Sequence, residues 1–301
     1  MIIKTLIIFP YSGYELRSKR ERVFWEIVDK CNGIDNCPVI VLNRDTEIRQ
    51  KADTFLNNVR STNLDVVKVW SVDTCQMWLS GWGHIIDNYK DCSRIVQIPG
   101  DIDTVKSERR FFSNLTGLIQ ANVPDIVIGD FHSQDQYSSK ELIDTYGTYP
   151  LMSNWFPQVT KKIQSLPLLK PRSEFLNFNI SILKELLCYR KFAYEQTLNS
   201  LIRSWNCEEN KWRYNINIQF LGELEDDKTF RQYRDTLDQI ERTERMLKLL
   251  WREINEPKET GNIDDDEFNY KSFSAEYDLL DKKSTGMRES ARTTIKALLG
   301  A

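Results

Sequence analysis

The first 130 residues constrain the fold most, because short apolar runs alternate there with segments of helix length. The runs are Leu6 to Phe9, Pro38 to Leu42, Leu64 to Trp70, Arg94 to Ile98 and Asp125 to Ile128. Between them lie Ser18 to Lys30, Glu47 to Val59, Thr74 to Tyr89 and Phe111 to Ala121, each long enough for three turns of helix or more. An apolar run of four to seven residues with no polar face must be covered on both sides. Alternation with helices therefore predicts an α/β, Rossmann-like domain with a wound, largely parallel sheet.

Composition narrows the partners. A formal net charge of −3 over 301 residues gives no global attraction to nucleic acid or anionic lipid. No apolar run approaches the roughly 20 residues that span a bilayer, so no transmembrane segment is expected. Met1 to Pro10 has too short an apolar core for a secretion signal and reads as the first buried strand. The six cysteines form no C-x-x-C pair, which fits free thiols in a cytoplasmic protein, although Cys31 and Cys37 could bridge a loop.

Sheets of this kind bind ligands beyond the carboxyl ends of their strands. The loops expected there are Pro10-Tyr11-Ser12-Gly13, Asn43-Arg44-Asp45, Ser71-Val72-Asp73 and Pro99-Gly100-Asp101-Ile102-Asp103. The last is the most informative. Two carboxylates at i and i+2 can share one hard divalent cation, Mn²⁺ or Mg²⁺, with a diphosphate and water completing its shell. Ile102 between them is expected to point into the core, with Asp103 as a metal ligand and Asp101 facing metal, ribose or sugar. The chain has no G-x-G-x-x-G, no G-K-[ST] and no G-x-S-x-G, which removes dinucleotide oxidoreductase, P-loop and serine-hydrolase readings.

In this order of elements ending in D-x-D, the first 225 residues resemble the GT-A class of nucleotide-sugar glycosyltransferases, with a layout like that of mannosylglycerate synthase-type enzymes. The resemblance implies that Pro10, Tyr11 and Ser12 hold the nucleobase, and that Asn43 and Asp45 hold base or ribose. It implies that Gly81-Trp82-Gly83-His84, with Asn88, form a helix start facing the diphosphate, so that Gly83 contacts the nucleotide. It puts Arg172 to Asn177 on a strand facing donor sugar and acceptor, with Glu174 as the catalytic candidate. Tyr214-Asn215-Ile216-Asn217 takes the place of an aromatic-x-x-acid segment, which makes Asn217 the second candidate. The activity implied is hexosyl transfer from a nucleotide-diphosphate sugar to an acceptor hydroxyl. Asn217 stands where an aspartate is usual, and no late histidine follows, since the only histidines are His84 and His132. Lacking an acid at 217, the chain is expected to retain anomeric configuration.

From Phe131 to Arg172 the pattern turns irregular and rich in Ser, Gln, Tyr and Pro, as expected of an active-site flap or a surface excursion. Phe175 to Ile182 and Tyr214 to Leu221 read as strands. Lys228 to Glu253 carries an apolar stripe through Ile240, Leu247 and Leu250 opposite a charged face that includes Glu244, and so predicts an amphipathic helix. That stripe either docks on its own chain or pairs two copies as a homodimer. The expected division is a GT-A-like domain over 1–225 and a helical extension over 226–301. Two alternatives to glycosyl transfer are a nucleotidyltransferase and a non-catalytic nucleotide-sugar-binding relative. A haloacid-dehalogenase-like phosphatase would place its acidic motif on the first strand rather than after the fourth.

Overall fold

The computed structural model describes residues 2–8, 18–35, 38–43, 65–69, 74–100, 102, 104–105, 107–133, 139–188, 195–225, 233–255 and 274–299. The chain divides into two compact units, one of 1–134 with 167–227 and the other of 135–166 with 228–301. The expected boundary at 225/226 misses part of this division, because residues 135–166 belong with the C-terminal helices.

A two-stranded hairpin of β8 (Trp205–Asn206) and β9 (Lys211–Trp212) stands apart in the first unit, which is otherwise built on β1 (Ile2–Ile8), β2 (Val39–Asn43), β3 (Asp65–Val69), β4 (Cys92–Pro99), β5 (Thr104–Val105), β6 (Ile126–Ser133), β7 (Leu176–Asn179) and β10 (Ile216–Glu225). Among the described residues these eight form one sheet in the order β3-β2-β1-β4-β7-β6-β10-β5. The strands β3, β2, β1 and β4 pair in parallel, as do β6 and β10. The strand β7 runs antiparallel between β4 and β6, and β5 runs antiparallel to β10. Each expected strand of the first 130 residues is present. The helix expected over Glu47 to Val59 lies outside the described residues.

Helices cover both faces because the strands alternate their side chains between them. On one face α1 (Ser18–Asp35) contributes Phe24, Ile27 and Val28, and α3 (Glu108–Gln120) contributes Phe111, Leu115 and Leu118, to a core with Ile7, Ile40, Val96, Ile98 and Val127. On the other face α2 (Thr74–Asn88) lies so close that a Cβ on Gly81 would meet Leu6 and Val41 side chains within 3.0 Å. Trp78 and Trp82 are fully buried and stacked with ring centroids 6.1 Å apart.

The second unit is helical. Residues expected to be irregular form the helices Ser139–Leu142, Tyr149–Trp155 and Pro157–Gln164, with a π-helical turn over Ile143–Thr148. Leu151, Met152, Trp155 and Ile163 are buried, so spaced apolar residues, rather than the Ser/Tyr/Pro content, set the local structure. The long helices Tyr233–Asn255 and Ala275–Leu299 complete the unit. Ile240, Leu247 and Leu250 are at most 2% exposed. Gly147 and Trp155 supply the surroundings: a Cβ on Gly147 would lie 2.9 Å from Ile240, and Trp155 meets Trp251 at 6.0 Å. Ile240, Leu247 and Leu250 are therefore covered by the chain itself, and these three residues offer no surface to the homodimer expected through this helix.

The charged face of that helix is also not uniformly solvated. Glu244 is 2% exposed and binds Arg288 at 2.7 Å, Lys248 at 3.0 Å and the Ser284 hydroxyl at 2.8 Å. Ser284 Oγ in turn accepts from Trp155 Nε1 at 3.1 Å. Burial works against the charge of Lys248 and Arg288, yet the carboxylates beside them raise both groups.

Candidate active site

The carboxyl ends of β1 and β4 lie side by side, with Ile8 opposite Pro99. The next residue, Gly100, is buried, and an added Cβ would stand 2.0 Å from the Ile8 carbonyl oxygen. No side chain fits there, so the segment leaving β4 hugs the end of β1. Two residues on, Ile102 is 7% exposed and belongs to the core with Phe24, Phe111 and Phe112, as expected. Thr104 and Val105 then pair with Glu225 and Leu224 at the end of β10. A bulge between Phe220 and Gly222, with Gly222 at φ +123°, shifts the register of β10 just before this pairing. Gly100, Ile102 and Thr104–Val105 are thus tied to the end of β1, the core and β10 in turn. Asp101 and Asp103 flank the core anchor. They lie outside the described residues, as do Pro10, Tyr11, Ser12 and Asp45, while Asn43 is the last residue of β2.

Glu174 reaches the same edge for a topological reason. The strand β7 is antiparallel to its neighbours, so its beginning, not its end, faces the carboxyl side of β4 and β6, with Leu176 opposite Gln97 near the end of β4 and opposite Ile128 in the first half of β6. The segment entering β7 is held from both sides. Gln97 Nε2 donates to the Glu174 carbonyl at 3.0 Å, and the Gly129 N–H donates to the Phe175 carbonyl at 2.8 Å. Ser173 Oγ donates to the Gly129 carbonyl at 2.5 Å. Asp130, 1% exposed, accepts the backbone N–H groups of Leu169 and Lys170, each at 2.8 Å. Burial holds the Asp130 carboxyl above its ordinary value despite these donors and the nearby Lys170 charge. Arg172 pairs with Glu195 at 4.0 Å, and both side chains are nearly buried.

Other expected residues are placed elsewhere. Asn217 is exposed and stands level with Val127 and Asn177, well below the carboxyl edge, because β10 runs parallel to β6 and Asn217 is its second residue. Register thus sets Asn217 away from the carboxyl edge at which Glu174 enters β7. Gly83 lies in the C-terminal half of α2, whose start is Thr74. The free backbone N–H groups that attract phosphate belong to a helix start, which here is Thr74 and not the expected Gly81-Trp82-Gly83-His84. His84 Nε2 contacts Asp65 at 2.7 Å, at the opposite end of the strands, where Tyr89 also donates to Asp65 at 2.5 Å. Asn177 is fully buried: it accepts from Arg94 Nε at 2.7 Å and donates to the Leu118 and Ala121 carbonyls, so it closes the end of α3. His132 is exposed near the end of β6, opposite Glu223.

Sequence reasoning missed Gln97 and Asp130. The signal was available: each is a polar residue set within or directly after a run of apolar strand residues. Among the described residues no group of three or more His, Cys, Asp or Glu side chains is gathered as a metal site, and no helix is long and apolar enough to cross a membrane. Among the described residues Cys31, Cys75, Cys92, Cys188 and Cys207 form no disulfide.

Among solved structures, the chain is similar to mannosyl-3-phosphoglycerate synthase from Rubrobacter xylanophilus, at 10% identity and a TM-score of 0.45, over 87% of this chain and 78% of that one. It is similar to a protein from Mycobacterium tuberculosis H37Rv solved in complex with manganese, at 11% identity and a TM-score of 0.41, over 79% and 98%. It is also similar to a cytidylyltransferase from Leptospira borgpetersenii, at 11% identity and a TM-score of 0.37, over 76% and 77%. No protein family and no curated protein matches the chain. The α/β layout of the chain stands on its own sheet order and on the helices that cover both faces.

Proposed function

We propose that the chain is a glycosyltransferase that takes a sugar from a nucleotide-diphosphate donor bound at the carboxyl edge of the sheet. The observation that carries this reading is Ile102, anchored in the core between two aspartates on a segment tied to β1 and β10. Two acids beside such an anchor in sequence are the residue types that a shared cation requires. The donor set fits a hard divalent ion: Asp103 would hold Mn²⁺ or Mg²⁺, and Asp101 the same ion, the ribose or the donor sugar. When bound, such an ion neutralises the charge that develops on the departing diphosphate. The bond between the anomeric carbon and the diphosphate oxygen breaks, and one to the acceptor oxygen forms. The acceptor proton passes to the leaving diphosphate, in keeping with retention. Pro10, Tyr11, Ser12, Asn43 and Asp45 are assigned to the nucleoside, and Glu174 to donor sugar or acceptor.

Titration calorimetry tests this directly. In the presence of Mn²⁺, one of UDP, GDP, CDP and dTDP binds the parent protein, and Asp103→Asn, folded by circular dichroism, loses that binding. A folded variant that binds nucleotide and metal as tightly as the parent overturns the metal assignment. Release of a nucleoside triphosphate or pyrophosphate instead of a nucleoside diphosphate would move the reading to nucleotidyl transfer.

A further inference from the structure

Gln97 occupies a place where packing alone asks for an apolar residue. Its neighbours across the sheet are Leu6 on β1 and Leu176 on β7. The side chain is fully buried, and among the described residues its Oε1 has no hydrogen-bond partner. A buried acceptor without a partner destabilises a protein, so the amide is not explained by stability. The hydrogen bond recorded for its Nε2 goes to the carbonyl of Glu174. That peptide lies just before β7 begins at Leu176 and outside its register with β4, so the Gln97 side chain stands in for a missing ladder bond. On the far side, Gly129, Ser173 and Asp130 hold residues 169–175 to β6. Gln97 supplies the hold from β4.

We infer that Gln97 is a positioning residue, which fixes the Glu174 main chain at the carboxyl edge so that the Glu174 carboxylate serves the transfer. The second half of this statement rests on the function proposed above. Gln97→Met keeps the volume and removes the amide. Its melting temperature is expected to stay close to the parent's, because loss of the partnerless acceptor offsets the hydrogen bond that the Glu174 carbonyl gives up. Hydrogen exchange at the Phe175 amide is expected to rise roughly tenfold, the size of one lost hydrogen bond. Hydrolysis of UDP- and GDP-hexoses in Mn²⁺, read as released nucleoside diphosphate, should slow by a similar factor, while affinity for the free nucleoside diphosphate stays unchanged. Because Gln97 acts through Glu174, the double variant Gln97→Met/Glu174→Gln should be no slower than Glu174→Gln alone. Unchanged exchange at Phe175, or fully multiplicative losses in the double variant, overturns the inference. Parent protein that hydrolyses none of the donors refutes the functional reading instead, and the exchange measurement still decides what Gln97 holds. If Gln97→Met does not fold, Gln97→Asn, which withdraws the amide by one methylene, carries the same measurements.

Discussion

Gly100 meets the backbone of Ile8 so closely that a methyl group on it would lie 2.0 Å from the Ile8 carbonyl oxygen. The contact joins the ends of two neighbouring parallel strands, one residue before Asp101 in the sequence. Ile8 is part of the sheet, so the obstacle is backbone and not a side chain that could swing aside.

Gly100→Ala is therefore expected to destabilise the protein by about 1–3 kcal/mol, the usual cost of overpacking, and to weaken Mn²⁺-dependent nucleotide binding. Gly83→Ala is the control, because a Cβ there meets nothing within 4 Å on a helix interior. It should stabilise by about 0.5–1 kcal/mol and leave nucleotide binding alone. Urea denaturation measures both, and a Gly100→Ala protein as stable as the parent would contradict the packing argument.

Asp65 gives a pH dependence at the other end of the strands. Partial burial works to raise its carboxyl, but hydrogen bonds from Tyr89 and His84 outweigh that and hold it below its ordinary 3.8. The folded state then binds the proton less readily than the unfolded chain. The resulting stability is present above the unfolded value and is lost as pH falls from about 3.8 through the folded value. Asp65→Asn should lower the melting temperature at pH 6 and narrow the gap to the parent at the acid end. A gap that stays constant from pH 6 to about pH 3 would show that the ionised carboxylate adds nothing.

In the helical unit, Glu244→Gln removes one buried charge from between Arg288 and Lys248, whose side chains are 24% and 20% exposed. Breaking a buried ion pair from one side costs about 3–5 kcal/mol, and partial solvent access of both cations sets this case near 3 kcal/mol. The denaturation midpoint should fall with no change in slope. A shift under about 1 kcal/mol would mean that the cluster behaves as an exposed surface pair.

The sequence by itself determined the strands of the first unit and the place of the acidic motif after the fourth. Unbroken apolar runs such as Leu6 to Phe9 can only be satisfied by burial on both faces, and that requirement is local. The core position of Ile102 was also legible, from a single apolar residue between two acids. Tertiary structure decided everything that depends on register or on distant partners. The antiparallel entry of β7 brings Glu174 to the carboxyl edge, while the parallel run of β10 leaves Asn217 below it. The assignment of 135–166 to the helical unit rests on contacts such as Gly147 with Ile240, about 90 residues apart in the chain. Gln97 and Asp130 looked like interruptions of apolar strands. Their partners lie 77 residues from Gln97 and 39 or 40 from Asp130. Local pattern records which side chains must be buried, but only the folded sheet fixes which buried polar group meets which backbone.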